Sequence, residues 1–253
     1  MNVVHMATDL GCWMGKVEQM IRYAYWNSGS KGIVIGVSGG VDSAVAAAFC
    51  CRAVGPENVI GLSLPSAVSN PADIDDARAL CEKLGMEHRV IPIDPMLAAF
   101  ETLPGFVETR YLLGNLMARI RMTTLYYYAN RDNRIVCGTS NRSEFMLGYC
   151  TKYGDNAADL QPIVHLYKGE VYIMANELGI PEPIIRKTPS AGLWEGQSDE
   201  AEIGLTYPEI DAALKALEEH AWKAESPVEE KVLARVKMSG HKRLPAPNLL
   251  AVP

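Results

Sequence analysis

Ile33-Val34-Ile35-Gly36-Val37-Ser38-Gly39-Gly40-Val41-Asp42-Ser43 is the stretch on which the fold turns. A run of β-branched residues reads as a buried strand, two glycines allow a tight turn, and the Ala-rich text that follows reads as a helix. Such a turn makes a phosphate cradle: glycine lets the backbone approach an anion without a Cβ clash, and the unpaired amides at the helix start aim at it. Ser38 and Ser43 can add hydroxyl donors. No lysine follows the glycines as in a Walker loop, so the grip on a γ-phosphate is missing. Asp42 beside phosphates calls for a cation between the two negative groups, and Mg²⁺ is the assignment. The plainer alternative is that Asp42 caps the helix and the glycines only make a turn.

Working outward, short apolar runs alternate with helical patterns. Strands are expected at 33–37, 59–64, 88–93 and 134–137, with helices at 42–54, 73–84 and 115–129. Repeated βαβ units of this kind predict an α/β fold, a doubly wound parallel sheet flanked by helices. Beyond it, 138–162 reads as a polar loop, 168–178 as a helix and 181–204 as a long loop suited to a lid. Helices resume at 207–220 and 227–238, and the Pro-rich 244–253 cannot be a regular helix. Residues 4–26 suit an amphipathic helix better than a targeting segment. The expected organisation is a single domain over 1–253, with a core at about 30–180, the lid at about 181–204 and C-terminal helices and tail at 205–253.

The 253 residues carry a net charge of −6, with 48% hydrophobic and 21% charged residues, which excludes a disordered or fibrous chain. That charge also argues against a broad nucleic-acid or anionic-membrane surface. Six cysteines show no CxxC pair and no Cys/His metal spacing, so reduced core residues are expected. No apolar run reaches the roughly 18 residues a membrane helix needs. A cytoplasmic protein without nucleic-acid or membrane partners is the expectation.

The strand–SGGVDS–helix block resembles the signature loop of the ATP pyrophosphatases, which split ATP between its α and β phosphates. Four further blocks narrow the resemblance: Asn115-Leu116-Met117-Ala118-Arg119-Ile120-Arg121-Met122, Gly138-Thr139-Ser140-Asn141-Arg142-Ser143-Glu144, Thr151-Lys152-Tyr153-Gly154-Asp155, and Lys187-Thr188-Pro189-Ser190-Ala191-Gly192-Leu193-Trp194 with Gln197-Ser198-Asp199-Glu200. With His241-Lys242-Arg243 they stand in the order found in the ammonia-dependent NAD synthetases and run over residues 36–243.

That resemblance implies a Rossmann-like ATP pyrophosphatase fold and the amidation of deamido-NAD through an adenylated intermediate. ATP, deamido-NAD and ammonia would be the partners, Mg²⁺ the cofactor and a homodimer the working form. Carried over by position, Gly36, Val37, Ser38, Gly39, Gly40, Val41, Asp42, Ser43, Thr139, Lys168 and Ser190 would surround ATP. Asp42 and Glu144 would hold Mg²⁺, and Arg119, Lys152, Asp159, His241 and Lys242 would surround deamido-NAD. The chain departs from the family after Tyr153-Gly154-Asp155, where Asn156 and Ala157 replace a usual glycine. No room exists for a glutamine-hydrolysing domain, so free ammonia is expected as the nitrogen source.

Several of these residues also have ordinary readings. Asp155, the candidate to attract ammonium and take its proton, could simply make an Asx turn. Glu144 could be a solvated helix acid, and Lys152 a plain surface cation. Arg119 and Arg121 cannot share one helix face, and the family pattern selects Arg119. His241-Lys242-Arg243 could be a basic helix end, and Tyr126, Tyr127 and Tyr128 are better read as packing residues. Trp194, bulky among polar neighbours, suits a lid that excludes water. The rival functions are another adenylating or tRNA-thiolating ATP pyrophosphatase and a non-catalytic nucleotide-binding regulator.

Overall fold

Both arms of the glycine turn form as expected in a computed structural model, which describes residues 10–194 and 196–247. Strands β1 (Ile33–Gly36), β2 (Val59–Ser63), β3 (Glu87–Val90) and β4 (Ile135–Cys137) make a parallel sheet in the order β3-β2-β1-β4. Ile33 pairs with Val59 on one side and Ile135 on the other, which puts β1 at the centre. Because strand side chains alternate, β1 feeds two cores. Ile33 and Ile35 pack with residues of α1 (Leu10–Ser28) and α2 (Val41–Val54). Val34 packs with Ile60, Leu62 and Val136 against residues of α5 (Arg110–Arg131) on the opposite face.

Small side chains explain how closely α2 approaches the sheet: Ala44, Ala46, Ala47 and Ala48 are all buried, with Phe49 filling the space between layers. Burying a side chain the size of Phe49 contributes roughly 1.5–3 kcal/mol. At the sheet edge β3 shows the opposite character. It is largely exposed, and Arg89 pairs with Glu87 at 2.6 Å and Asp132 at 3.1 Å, charges that discourage edge-to-edge association.

The remaining helices are α3 (Pro71–Leu84), α4 (Asp94–Glu101), α6 (Arg142–Leu147), α7 (Lys168–Glu177), α8 (Glu182–Ile185), α9 (Asp199–Ile203), α10 (Tyr207–Glu219) and α11 (Pro227–Met238). α7 joins the main core, whereas Leu147, Ile203, Tyr207, Ile210, Leu214, Leu217, Val232 and Val236 build a second one beneath α6, α9, α10 and α11.

Three readings from sequence are corrected. The 138–162 stretch is not all loop, because Asn141 caps α6 by accepting the Glu144 amide at 2.9 Å. The 181–204 stretch is interrupted by α8 and α9, the first begun by its Pro183 and the second closed by Gly204 in the left-handed region. α5 starts at Arg110, ahead of the expected 115, because Thr109 accepts the Leu112 amide at 3.2 Å. Of the expected helix at 4–26 and the tail at 244–253, residues 4–9 and 248–253 lie outside the described residues.

Candidate active site

Strand order reverses direction at β1. The chain moves from β1 to β2 and β3 on one side and returns to β4 on the other. In open parallel sheets the crevice at such a switch point, beyond the strand carboxyl ends, is where ligands bind. The two segments that leave β1 and β4 there are Val37–Gly40 and Gly138–Asn141.

The first is the glycine turn. Gly39 has φ +78°, and a Cβ on it would lie 2.3 Å from the Asp73 carbonyl oxygen, so the position demands glycine twice over. Ser43 donates to the Gly40 carbonyl at 3.0 Å and accepts the Ser38 amide at 3.2 Å, which stiffens the bend from within. No side chain caps α2 at Gly40, so the helix presents an open amino end to the crevice. Ser63 underpins the turn by donating to the Val37 carbonyl at 2.8 Å, while His88 Nε2 lies 2.8 Å from the same hydroxyl.

Asp42 and Glu144 meet at Lys168. The Lys168 ammonium lies 2.5 Å from Asp42 Oδ2 and 3.1 Å from Glu144 Oε1, and its side chain is 3% exposed. Asn141 donates to the other Asp42 oxygen at 2.8 Å, so the residue that caps α6 also orients Asp42. Lys168 is itself held by its backbone. Its amide reaches Ser143 Oγ at 3.0 Å, Ser143 hydrogen-bonds Asp211, and Asp211 accepts the Gly169 amide at 2.9 Å. A carboxylate at the amino end of α7 suits the helix dipole. Tyr207 completes the group, its hydroxyl 3.0 Å from Glu144 Oε1 and 2.9 Å from Asp199 Oδ2.

Charge follows from this packing. Burial alone would lower the Lys168 pKa, but Asp42 and Glu144 outweigh it and hold the ammonium above its ordinary value. Burial pushes Glu144 up to about 7 against the pull of Lys168, and it raises Asp199 as well. Among the described residues no three His, Cys, Asp or Glu side chains gather as a metal site, and Lys168 bridges Asp42 and Glu144. The donors nevertheless suit Mg²⁺, which keeps several waters and binds through one or two carboxylates plus phosphate oxygens.

Other expected site residues lie further along the crevice or are engaged elsewhere. Thr139 is half-buried just beyond β4. Ser190 is exposed and accepts the Gly192 amide at 3.1 Å. Arg119 is exposed and donates to the Lys152 carbonyl at 3.2 Å, whereas Arg121 turns inward to the Leu64 carbonyl at 3.0 Å. Lys152 donates to the His241 carbonyl at 2.7 Å, and Lys242 to the Gly148 and Cys150 carbonyls at 2.8 and 2.6 Å. Asp159 is tied to the Val136 amide at 2.7 Å and receives the Tyr126 hydroxyl at 3.2 Å. His241 is exposed, its Nδ1 3.2 Å from the Met238 carbonyl.

Asp155 opens to solvent but has protein on most sides, which raises its pKa, while the Thr151 amide at 2.8 Å opposes the rise. That bond runs backward to Thr151. Asn156, where the sequence departs from the family pattern, accepts the Tyr153 amide at 2.8 Å and donates to the Lys242 carbonyl at 3.1 Å. Trp194 and Leu193 lie against Gly114 of α5, where an added Cβ would come within 3.6 and 3.1 Å of them.

Sequence reasoning missed Asn141, Ser143, Asp199, Tyr207 and Asp211 as parts of the site. Asp211 carried a signal: it falls four residues after Tyr207 in a stripe that continues through Leu214 and is 8% exposed. An acid at a core position of an amphipathic helix asks for a partner.

An uncapped helix behind a glycine turn, at the switch point of a parallel sheet, defines an α/β phosphate-binding protein of the doubly wound class. Comparison with known proteins is more specific: the sequence model of the NAD synthase family matches residues 13–246, and the chain belongs to that family. It is 76% identical over 248 residues to the NH(3)-dependent NAD(+) synthetase of Methanoregula boonei, covering 98% of this chain and 100% of that protein. The enzyme of the same description from Thermococcus kodakarensis is 50% identical over 203 residues, 80% of this chain and 79% of that one. Among solved structures, the NMN synthetase of Francisella tularensis aligns with TM-score 0.84 and 39% identity over 95% of this chain and 97% of that one. The NH3-dependent NAD synthetase of Campylobacter jejuni aligns with TM-score 0.81 and 36% identity over 95% of this chain and 98% of its own.

Proposed function

We propose that the chain is an ammonia-dependent ligase that converts deamido-NAD to NAD, consuming ATP and releasing AMP and pyrophosphate. The observation that carries the reading is Lys168 holding Asp42 and Glu144 beside the open amino end of α2. A carboxylate resists attack by ammonia because resonance and negative charge both oppose it. Its oxygen therefore attacks the α-phosphorus of ATP, the bond to the β-phosphate oxygen breaks and pyrophosphate departs. Ammonia then adds to the acyl carbon, the bond to AMP breaks and one proton is released.

For this chain the work is positioning and charge neutralisation. The amides of the Gly39–Gly40 turn and the start of α2 would hold the departing pyrophosphate, with Ser38, Ser43, Thr139 and Ser190 as hydroxyl donors. Lys168 would lend its charge to phosphate oxygens while offsetting the repulsion between Asp42 and Glu144. Asp42 and Glu144 would hold Mg²⁺, which neutralises phosphate charge when bound. Arg119, Lys152, Asp159, His241 and Lys242 would line the dinucleotide end, and Asp155 would draw in ammonium and accept its proton. The described residues contain no helix long and apolar enough to cross a membrane, and Cys50, Cys51, Cys81 and Cys137 are buried thiols; the burial of these thiols suits a reducing, cytoplasmic setting. A homodimer is part of this reading, with exposed Tyr111 and Leu112 at the start of α5 as candidate contacts. The 181–204 segment would act as the lid over the core at 30–180.

The test mixes pure protein, ATP, Mg²⁺, deamido-NAD and ammonium. AMP and NAD in equal amounts are expected; nucleotide binding without AMP would mark a regulator. A second acceptor merits the same assay, because the Francisella relative is an NMN synthetase. A higher kcat/KM with nicotinate mononucleotide than with deamido-NAD would reassign the substrate.

A further inference from the structure

Tyr207 and Asp199 open two successive helices, α10 and α9, and both side chains turn into the lysine centre. Each residue is 4% exposed. The Tyr207 hydroxyl lies 3.0 Å from Glu144 and 2.9 Å from Asp199, and the Lys168 ammonium stands 4.9 Å from the centre of its ring. A phenol has one proton to donate. With two carboxyl oxygens in reach, it serves one fully only by releasing the other.

The two acceptors are not equal. Glu144 has Lys168 as a second partner. Asp199 leans mainly on Tyr207: the neighbouring Tyr149 hydroxyl also helps it but donates to Glu202 at 2.9 Å, and Asp199 Oδ1 is buried with no hydrogen-bond partner. A buried carboxylate oxygen in that condition is costly, and strengthening its remaining bond is worth correspondingly more. Asp199 is also where α9 is fastened: its amide reaches the Pro189 carbonyl at 3.2 Å, while Glu200 accepts the Tyr207 amide at 2.7 Å. The hydroxyl therefore connects the carboxylate of the phosphate site to the element that closes the 181–204 segment.

We infer that Tyr207 is a positioning residue that links cation capture at Glu144 to the seating of α9. When Glu144 turns its oxygen to a cation, the hydroxyl donates wholly to Asp199 and α9 is held more firmly. Linkage makes the effect reciprocal: whatever strengthens the bond from Tyr207 to Asp199 frees Glu144 for the cation. This inference rests on the proposed role of Glu144 as a cation ligand. Phenylalanine would fill the same space, so the hydroxyl proton alone is at stake in Tyr207→Phe. In Asp199→Asn the new amide can donate to the tyrosine oxygen and turn its proton toward Glu144, so the cation then has a competitor.

The probe is Mn²⁺ with a non-hydrolysable ATP analogue, read by electron paramagnetic resonance for affinity and by hydrogen exchange over residues 198–203. In the wild type, adding both should slow exchange in that segment by about tenfold, within the usual range of coupling between sites. Tyr207→Phe should bind the analogue and lose that slowing, and Asp199→Asn should bind Mn²⁺ at least about fivefold more weakly. Undiminished slowing in Tyr207→Phe, or wild-type Mn²⁺ affinity in Asp199→Asn, overturns the link. Glu144→Ala separates the two levels: wild-type Mn²⁺ affinity there removes Glu144 from the cation site and takes the inference with it. Lost affinity in Glu144→Ala with full slowing in Tyr207→Phe removes the link alone.

Discussion

Lys168 and the basic group of Lys152, Lys242 and Arg243 spend their charge differently. Lys168 faces two carboxylates, Asp42 and Glu144, beside an uncapped helix. Lys152, Lys242 and Arg243 are aimed at main-chain carbonyls: those of His241, of Gly148 and Cys150, and of Met146. The first arrangement concentrates opposite charges at the switch point of the sheet, beside the glycine turn. The second clamps three segments together and closes the exposed carbonyl end of α6, as basic residues commonly do. A cation near a crevice is therefore not yet a ligand site. Its present partner tells what its removal would cost.

The largest expected effect comes from Lys168→Ala, which leaves two acids without their shared cation. Breaking a buried pair in this way costs about 3–5 kcal/mol, and losing a preorganised charge lowers turnover by on the order of 100- to 1000-fold. Urea unfolding and single-turnover AMP release measure the two parts. Stability within about 1 kcal/mol of wild type would show that the two acids do not depend on Lys168 and would end the charge-pair reading.

Next comes Gly39→Ala. The left-handed backbone and the close Asp73 carbonyl should together cost roughly 1–3 kcal/mol and weaken ATP at least about tenfold, read by thermal melting and calorimetry. Intact ATP affinity would mean that the turn does not touch the nucleotide.

Lys242→Ala sharpens the contrast from the other side. Two carbonyls lose a charged donor, so unfolding should become easier by about 1–3 kcal/mol while ATP affinity stays unchanged. If the KM for deamido-NAD also rises, Lys242 serves substrate as well as scaffold; a change in neither quantity would contradict the clamp.

The smallest effect concerns pH. His88 and His165 are both lowered below the usual histidine range, chiefly by burial. The unfolded chain then takes up protons first, so stability is full above about pH 6.5 and falls as pH drops below it. The melting temperature should decline between pH 7 and 5.5, less so in a His88→Gln, His165→Gln variant. A decline of the same size in that variant would clear the two histidines, and Glu144 could not replace them as the cause, because its raised pKa stabilises the folded chain as pH falls.

What could be read in advance follows how local each determinant is. The glycine turn, the four strands and most helices follow from periodicity and capping within a dozen residues, and the parallel sheet follows from their alternation. α6 and α9 were missed because they are short: each is a turn or two fixed by a cap and by burial against the second core. Asp42, Lys168 and Glu144 could be named from resemblance, but their convergence could not, since Asp42 and Lys168 are 126 positions apart. Asp211 and Tyr207 were read only as parts of a helix. Sequence pattern shows which face of a helix is buried, but not which polar group on that face has a partner. The same limit holds for Lys242, whose carbonyl partners are main-chain atoms that any residue type supplies.

The clamp formed by Lys242 also orders events in time. It fastens Gly148 from 94 positions downstream, and Asn156 is fastened to the same short segment from 86 positions downstream. On a translating ribosome the sheet and its glycine turn therefore emerge well before the segment that secures the 148–156 bend. A nascent chain halted before Gly240 should thus carry the sheet and its glycine turn without that fastening.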